Sequence, residues 1–234
     1  MMILIKIILA HMIGDFFLQP QKWVEEKEIK KLKSPKLYIH IFIHVVLLCI
    51  VLWEFSLWKL ILAIGLSHFV IDALKLILQR KKTKRIWFFV DQLLHVVSIL
   101  VAYMLIIGKR FDFEAIWSEP ILLLILLLLF LTQPVSIIMK TIFLKWDIKT
   151  LTEGNESLED AGKYIGILER ILVFVFVILN HWEAVGFLIT AKSVFRFGDL
   201  KESKHRKLTE YILIGTLISF GIAIFVGILY KMLQ

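Results

Sequence analysis

Four pairs of ionisable residues, each spaced four positions apart, are the residues of this chain whose types and spacing indicate chemistry. The pairs are His11 with Asp15, His40 with His44, His68 with Asp72, and Asp91 with His95. On an α-helix, side chains four positions apart share one face, with their Cβ atoms about 5 to 6 Å apart. A helix can therefore offer two ligands to one metal ion, and imidazole with carboxylate is a common donor set. These pairs predict metal binding.

The donor types narrow both the metal and the reaction. Imidazole and carboxylate without thiolate suit zinc, with iron or manganese as alternatives, and do not favour copper(I) or calcium. Water bound by such ions becomes a nucleophile near neutral pH, and the ions stabilise charge on a phosphoryl oxygen. The predicted reaction is hydrolysis of a phosphate ester, either a lipid headgroup or a nucleotide-linked lipid. Asp15, Asp72 or Asp91 would serve as the general base if not a ligand, and the sequence leaves that choice open.

Membrane-spanning helices are the elements that must position these pairs. Of the 234 residues, 59% are apolar and 21% are charged, and the mean hydropathy is +0.82. These values exclude a soluble globular domain and a disordered chain. The expected fold is an all-α, polytopic membrane bundle of about eight helices, with the short first and seventh crossing only partly or re-entering. A span needs about 20 apolar residues, and we expect helices at 2–19, 36–54, 57–79, 86–108, 120–144, 163–181, 183–197 and 208–232.

The basic residues predict the orientation of the chain. Basic loops remain in the cytoplasm, and 20 of the 28 Lys and Arg residues lie in segments 20–36, 80–85, 140–163 and 196–209. Both termini are therefore expected on the other side. Membrane lipids are expected partners, whereas nucleic acid is not, because the run RKKTKR at 80–85 has no aromatic stacking platform. Lys75 lies inside a span, where it would either snorkel to the interface or pair with Asp72, and snorkelling is the interpretation we favour.

In this topology the four pairs lie at a similar depth in the cytoplasmic half of the bundle. Each Asp inside a span costs about 2.5 to 3.5 kcal/mol on insertion scales, so a shared layer of such groups needs a reason. We expect a polynuclear metal site. Three alternatives remain open: the pairs are hydrogen-bonded struts in a non-enzymatic membrane scaffold, they form a proton or ion path in a transporter, or they hold iron in an oxidoreductase.

A second group of polar residues lies on the later helices, near the same face. The residues are Glu169, Arg170, Lys192, Ser193, Arg196 and Glu210. One interpretation is a set of ion pairs, Glu169 with Lys192 or Arg196 and Arg170 with Glu210. The other is an anion site, in which Lys192 and Arg196 bind the phosphate of a phosphorylated substrate. We place the metal site in residues 1–110 and this group in residues 111–234 of a single membrane domain.

Several motifs resemble those of a bacterial family of multi-pass membrane proteins of unknown function. They are HMIGDFFLQ at 11–19, HFVID at 68–72, FFVDQLLH at 88–95, AGKYIGILER at 161–170, AKSVFRF at 191–197 and TEYILIGT at 209–216. The resemblance extends over essentially the whole chain and implies a bacterial inner (cytoplasmic) membrane location. The family is distantly similar to predicted membrane-bound metal-dependent hydrolases. Their His and Asp motifs resemble those of the zinc phospholipase C and P1 nuclease group, which implies zinc-dependent hydrolysis.

Overall fold

The computed structural model describes residues 2–108, 120–144, 161–194 and 203–233, and within these residues it contains helices and no strand. The predicted all-α class is confirmed. The α-helices are α1 (Met2–Phe16), α2 (Gln21–Lys30), α3 (Pro35–Leu52), α4 (Trp58–Leu78), α5 (Lys84–Ile107), α6 (Pro120–Leu131), α7 (Gln133–Phe143), α8 (Ala161–Ile178), α9 (Trp182–Val194) and α10 (Ser203–Met232).

Five helical segments in the described part of the chain are long and apolar enough to cross a membrane. They are Pro35–Leu52, Phe55–Leu78, Lys81–Ile107, Pro120–Phe143 and Thr209–Met232, and α1 with α2 makes a sixth if that bent pair is one span. The sequence predicted about eight membrane helices. Of the remaining helices, α9 has only 13 residues, and α8 carries Lys163, Glu169 and Arg170 among its 18 residues.

The basic segment 20–36 is mostly helical, whereas the sequence predicted a loop there. α1 ends at Phe16, and α2 follows at an angle of 78°. Glu, Gln and Lys are good helix formers, and two pairs four residues apart support α2: Gln21 Nε2 donates to Glu25 Oε1 at 3.2 Å, and Lys30 Nζ donates to Glu26 Oε1 at 3.2 Å. This surface element therefore follows local propensity.

Proline begins one helix and glycine ends another close to the predicted boundaries. Pro35 is the first residue of α3, and the preceding Ser34 accepts a hydrogen bond from the backbone N–H of Lys36 at 3.3 Å. Gly108 ends α5 in the left-handed conformation, with φ of 68°. The predicted helix at 120–144 is broken between α6 and α7 at Thr132, because the nearby Pro134 has no N–H to donate.

The chain forms two compact units, unit 1 (Met1–Leu126) and unit 2 (Leu127–Gln234). The division expected from the sequence, between residues 110 and 111, lies outside the described residues. In unit 1, α1, α3, α4 and α5 pack around a buried apolar core that includes Ile7, Leu48, Leu60 and Ile99. This core holds the four helices that carry the His and Asp pairs.

Candidate metal centre

The eight predicted ligands converge within unit 1. Their side chains are between 1% and 10% exposed. The imidazole rings lie close together: the centroids of His68 and His95 are 3.9 Å apart, and those of His44 and His68 are 4.0 Å apart. The structure therefore brings together the four pairs that spacing and depth had placed in one layer.

Asp15 is the shared acceptor of this cluster. Its Oδ1 atom lies 3.0 Å from His44 Nε2, 3.2 Å from His40 Nε2 and 3.5 Å from His68 Nε2. Its Oδ2 atom accepts a hydrogen bond from Gln92 Nε2 at 2.9 Å. Gln92 follows Asp91 directly in the sequence, and the sequence analysis assigned it no role. One carboxylate from α1 thus connects residues from α3, α4 and α5.

The other two carboxylates each bind a lysine. Lys27 Nζ lies 3.1 Å from Asp72 Oδ2, and Lys75 Nζ lies 2.6 Å from Asp91 Oδ2. The remaining oxygens, Oδ1 of Asp72 and Oδ1 of Asp91, are each 3.5 Å from His95 Nε2. The expectation that Lys75 snorkels is wrong, because Asp91 is close enough to pair with it. Sequence reasoning missed Lys27, since nothing in its basic segment marks one lysine as buried.

Gly14 allows α1 to approach α3 at the cluster. A Cβ atom at position 14 would lie 2.4 Å from both Cε1 and Nε2 of His44. Contacts of that length do not occur between unbonded heavy atoms, so any larger residue would displace the ring. The glycine in the motif HMIGD therefore positions a ligand without contributing one, a role the sequence analysis did not assign.

Three sets of side chains in the described residues have donor atoms within 4.8 Å of one another, as a metal ion would need. The first donor group is His11, Asp15, His44 and His68. The second is His40, His68 and Asp72, and the third is Asp72, Asp91 and His95. A tetrahedral zinc site spaces its donors about 3.3 Å apart, so small movements would close any of the three.

Unpaired buried atoms show where a cation would fit. Both ring nitrogens of His11 are buried and have no hydrogen-bond partner among the described residues, and its Nε2 lies 3.8 Å from Asp15 Oδ2. His40 Nδ1, Asp91 Oδ1 and His95 Nε2 are also without one, although the last two lie 3.5 Å apart. Buried polar atoms usually have partners. The residues of the first donor group fit a divalent ion.

Residues 3–124 match the family model described as Protein of unknown function (DUF3307). This segment is more than half of the 234 residues and contains all eight clustered side chains. The chain belongs to the DUF3307 family. The resemblance was expected to cover the whole chain, but the match ends at residue 124. The motifs at 161–170, 191–197 and 209–216 lie beyond it. No curated protein and no solved structure matches this DUF3307 protein.

Arg170 in unit 2 binds the break between α6 and α7. Its Nε donates to the Leu131 carbonyl at 2.6 Å, and its Nη2 donates to the Thr132 carbonyl at 3.2 Å and to Ser136 Oγ at 2.7 Å. Its Nη1 donates to Ser219 Oγ at 3.2 Å. The sequence had offered Glu210 as its partner. In this DUF3307 protein Arg170 satisfies backbone carbonyls at the helix break.

Among the other residues of the predicted anion site, Lys192 contacts Glu169. Lys192 Nζ lies 2.5 Å from Glu169 Oε2, which is one of the two ion pairs expected for Glu169. Ser193 Oγ donates to the Ile189 carbonyl at 2.8 Å within α9. Glu210 lies on α10, and Arg196 lies outside the described residues. Lys192 is thus bound to a carboxylate in unit 2.

Proposed function

We propose that this protein is a metal-dependent hydrolase of phosphate esters. The observation that carries the proposal is the convergence of five imidazoles and three carboxylates from α1, α3, α4 and α5 in one buried layer. The imidazole and carboxylate donors support zinc, with iron or manganese as alternatives. The ring nitrogens of His11 have no hydrogen-bond partner among the described residues, which supports cation binding over a purely structural role.

The clustered residues divide into holding and proton-transfer roles. His11, Asp15, His44 and His68 would hold the ion, which supplies an acidified water and stabilises charge on a phosphoryl oxygen. Asp72 and Asp91 are the candidates for general base, because each keeps one oxygen, Oδ1, that has no lysine partner. The ammonium groups of Lys27 and Lys75 lie beside these carboxylates and would attract a phosphorylated substrate.

The proposed location is the cytoplasmic face of a bacterial inner membrane. Glu28 of α2 lies 2.7 Å from Lys84 Nζ and accepts a hydrogen bond from Gln79 Nε2 at 3.1 Å. These contacts connect the two most basic segments of unit 1, residues 20–36 and 80–85, at one end of the bundle. Basic segments remain in the cytoplasm, so the substrate would be a lipid headgroup or a nucleotide-linked lipid on that side.

A non-enzymatic scaffold is the second candidate, and the ion pairs of the carboxylates favour it. Asp15 accepts from Gln92, Asp72 from Lys27 and Asp91 from Lys75, so each carboxylate has at least one donor from the protein. In that case the layer would only join four helices.

A proton- or ion-coupled transporter is the third candidate, supported by the break between α6 and α7. Broken helices expose carbonyls that coordinate ions in transporters. Here the guanidinium of Arg170 binds the carbonyls of Leu131 and Thr132, which does not favour a cation at that place.

The test is phosphate release by protein purified in detergent without a histidine tag. Zinc-loaded protein is incubated with p-nitrophenyl phosphate and, separately, with phosphatidic acid in mixed micelles. We expect release that a chelator stops and that His68→Ala abolishes. His181→Ala is the matched control, because His181 lies outside the cluster and its side chain is 58% exposed.

Absence of release from both substrates with zinc, iron and manganese would contradict a phosphoester hydrolase. Metal-independent proton or ion flux in proteoliposomes would instead establish the transporter. If metal-free protein keeps its thermal stability and its membrane topology, the result would support the scaffold.

A further inference from the structure

We infer that the cluster holds a single divalent ion in the first donor group, and that the ammonium groups of Lys27 and Lys75 replace further ions at Asp72 and Asp91. This replaces the polynuclear site that the sequence predicts. The inference deepens the proposed function and rests on its metal site. It concerns how many ions bind and through which residues.

The first donor group has the donors that an ion needs and no competing cation. Asp15 Oδ1 lies 3.0 Å from His44 Nε2 and 3.5 Å from His68 Nε2, which are already the spacings of ligands around one ion. His11 contributes two buried nitrogens with no hydrogen-bond partner in the described structure. Gln92 occupies only the Oδ2 atom of Asp15, so Oδ1 remains for the ion.

The second and third donor groups each contain a carboxylate already bound to an ammonium group. Lys27 contacts the same Asp72 oxygen, Oδ2, that faces His40 Nε2 at 3.8 Å, so an ion in the second group would have to displace it. Lys75 binds Asp91 at 2.6 Å, the shorter of the two contacts. In the third group, Asp72 Oδ1 and Asp91 Oδ1 face His95 Nε2 and have no lysine partner. An ion there would share both carboxylates with the ammonium groups on their Oδ2 atoms.

Burial shows that Lys27 belongs to the cluster. The Lys27 side chain is 7% exposed, although it extends from a polar helix whose other lysines are not buried. A buried ammonium group requires a partner, because its desolvation is costly. Lys27 and Asp72 therefore depend on each other, and an ion at Asp72 would leave Lys27 buried without its counterion.

The net charge of the layer argues against further ions. With neutral imidazoles, three carboxylates and two ammonium groups leave a net charge of minus one. One divalent ion changes that to plus one, whereas three ions would give plus five beside the ammonium groups, or plus three if they displaced both. A smaller net charge costs less in a buried site within a membrane bundle.

The test is the number of zinc ions bound per chain, measured by equilibrium dialysis and plasma mass spectrometry on full-length protein in detergent. We expect one ion in the wild type. His11→Ala and Asp15→Asn should weaken zinc binding by at least tenfold, whereas Asp91→Asn should keep one ion with an affinity within about threefold of wild type. Two or more ions in the wild type, or none, would overturn the inference.

The lysines are tested by removing their charge. Lys27→Met with Lys75→Met should allow a second ion to bind, whereas Lys75→Arg, which keeps the charge, should leave one. Circular dichroism establishes that each variant is folded. If the double variant does not fold, the Asp91→Asn result still decides, because loss of zinc in that variant would contradict the assignment.

The outcomes separate this inference from the proposed function. One ion without phosphate release would refute the hydrolase and leave the single-ion site. Phosphate release with two or three ions would support the hydrolase and refute the single-ion site.

Discussion

Asp15 contacts three histidines through one oxygen and Gln92 through the other. Such sharing makes the geometry around it sensitive to changes of a few tenths of an ångström. An interior that is close-packed transmits a steric change directly to its neighbours. At the residue scale, therefore, side chains that are not ligands decide whether the ligands meet.

Gly14→Ala should disrupt the first donor group without removing a ligand. The added Cβ would lie 2.4 Å from the His44 ring, so the ring must move away from Asp15. We expect zinc affinity to fall at least tenfold and stability to fall by about 1 to 3 kcal/mol, as for other overpacked sites. Zinc titration and thermal unfolding measure the two effects.

Gly162→Ala is the matched control, because a Cβ at position 162 meets nothing within 4 Å. It should leave zinc affinity and unfolding unchanged. Wild-type zinc affinity in Gly14→Ala would show that the His44 position does not matter for the ion.

At the scale of the element, α2 contacts both the cluster and the segment that joins α4 to α5. Lys27 binds Asp72, and Glu28 binds both Gln79 and Lys84. Since seven of the eight clustered side chains are buried and that of Asp15 is 10% exposed, we expect an ion or substrate to enter when a surrounding element moves. The polar contacts of α2 make it the helix that we expect to move.

Glu28→Ala should therefore speed zinc entry. The lost contacts are partly exposed, and such an ion pair contributes about 0 to 1 kcal/mol to stability. If that energy opposes the movement of α2, its loss increases the association rate by up to about fivefold. Stopped-flow mixing with zinc measures this rate. Glu25→Ala is the control on the same helix, because within the described part of the chain the side chain of Glu25 bonds only to Gln21 of α2. Equal rates in wild type and Glu28→Ala would mean that α2 does not limit entry.

The break between α6 and α7 is the other element with a buried charge. Arg170→Leu would leave the carbonyls of Leu131 and Thr132 without the donor they now have, at about 1 to 3 kcal/mol each. We expect a clearly lower unfolding temperature in detergent. Arg170→Lys should recover only part of it, because an ammonium group lacks the planar fork of the guanidinium. Unchanged unfolding in Arg170→Leu would refute this role.

At the scale of the whole molecule, the basic segments predict the orientation in the membrane. Lys59 lies at the start of α4, and Lys82 lies just after its end at Leu78. The helix is long enough to cross a membrane. In a Cys49→Ser background, Lys82→Cys should react with an impermeant maleimide only in inside-out vesicles, and Lys59→Cys only in intact cells. The reverse labelling would place the basic segments outside the cytoplasm.

The sequence by itself determined the helical class, several helix ends and the identity of the clustered residues. Hydropathy forces helices, because a backbone in lipid must satisfy its own hydrogen bonds, and Pro35 and Gly108 act through their own backbone preferences. The spacing of four residues, as in His68 and Asp72, places both side chains on one helix face. All of these are local properties.

Only the tertiary structure decided which atoms meet and which charges compensate one another. Lys27 is one of six basic residues in segment 20–36. It contacts Asp72 in a structure where α2 turns away from α1 by 78°. Gln92, Gly14 and the partners of Arg170 likewise depend on contacts between helices distant in sequence. Such contacts are selected by packing and by desolvation of buried charge, and neither is encoded in the spacing of residues along one helix.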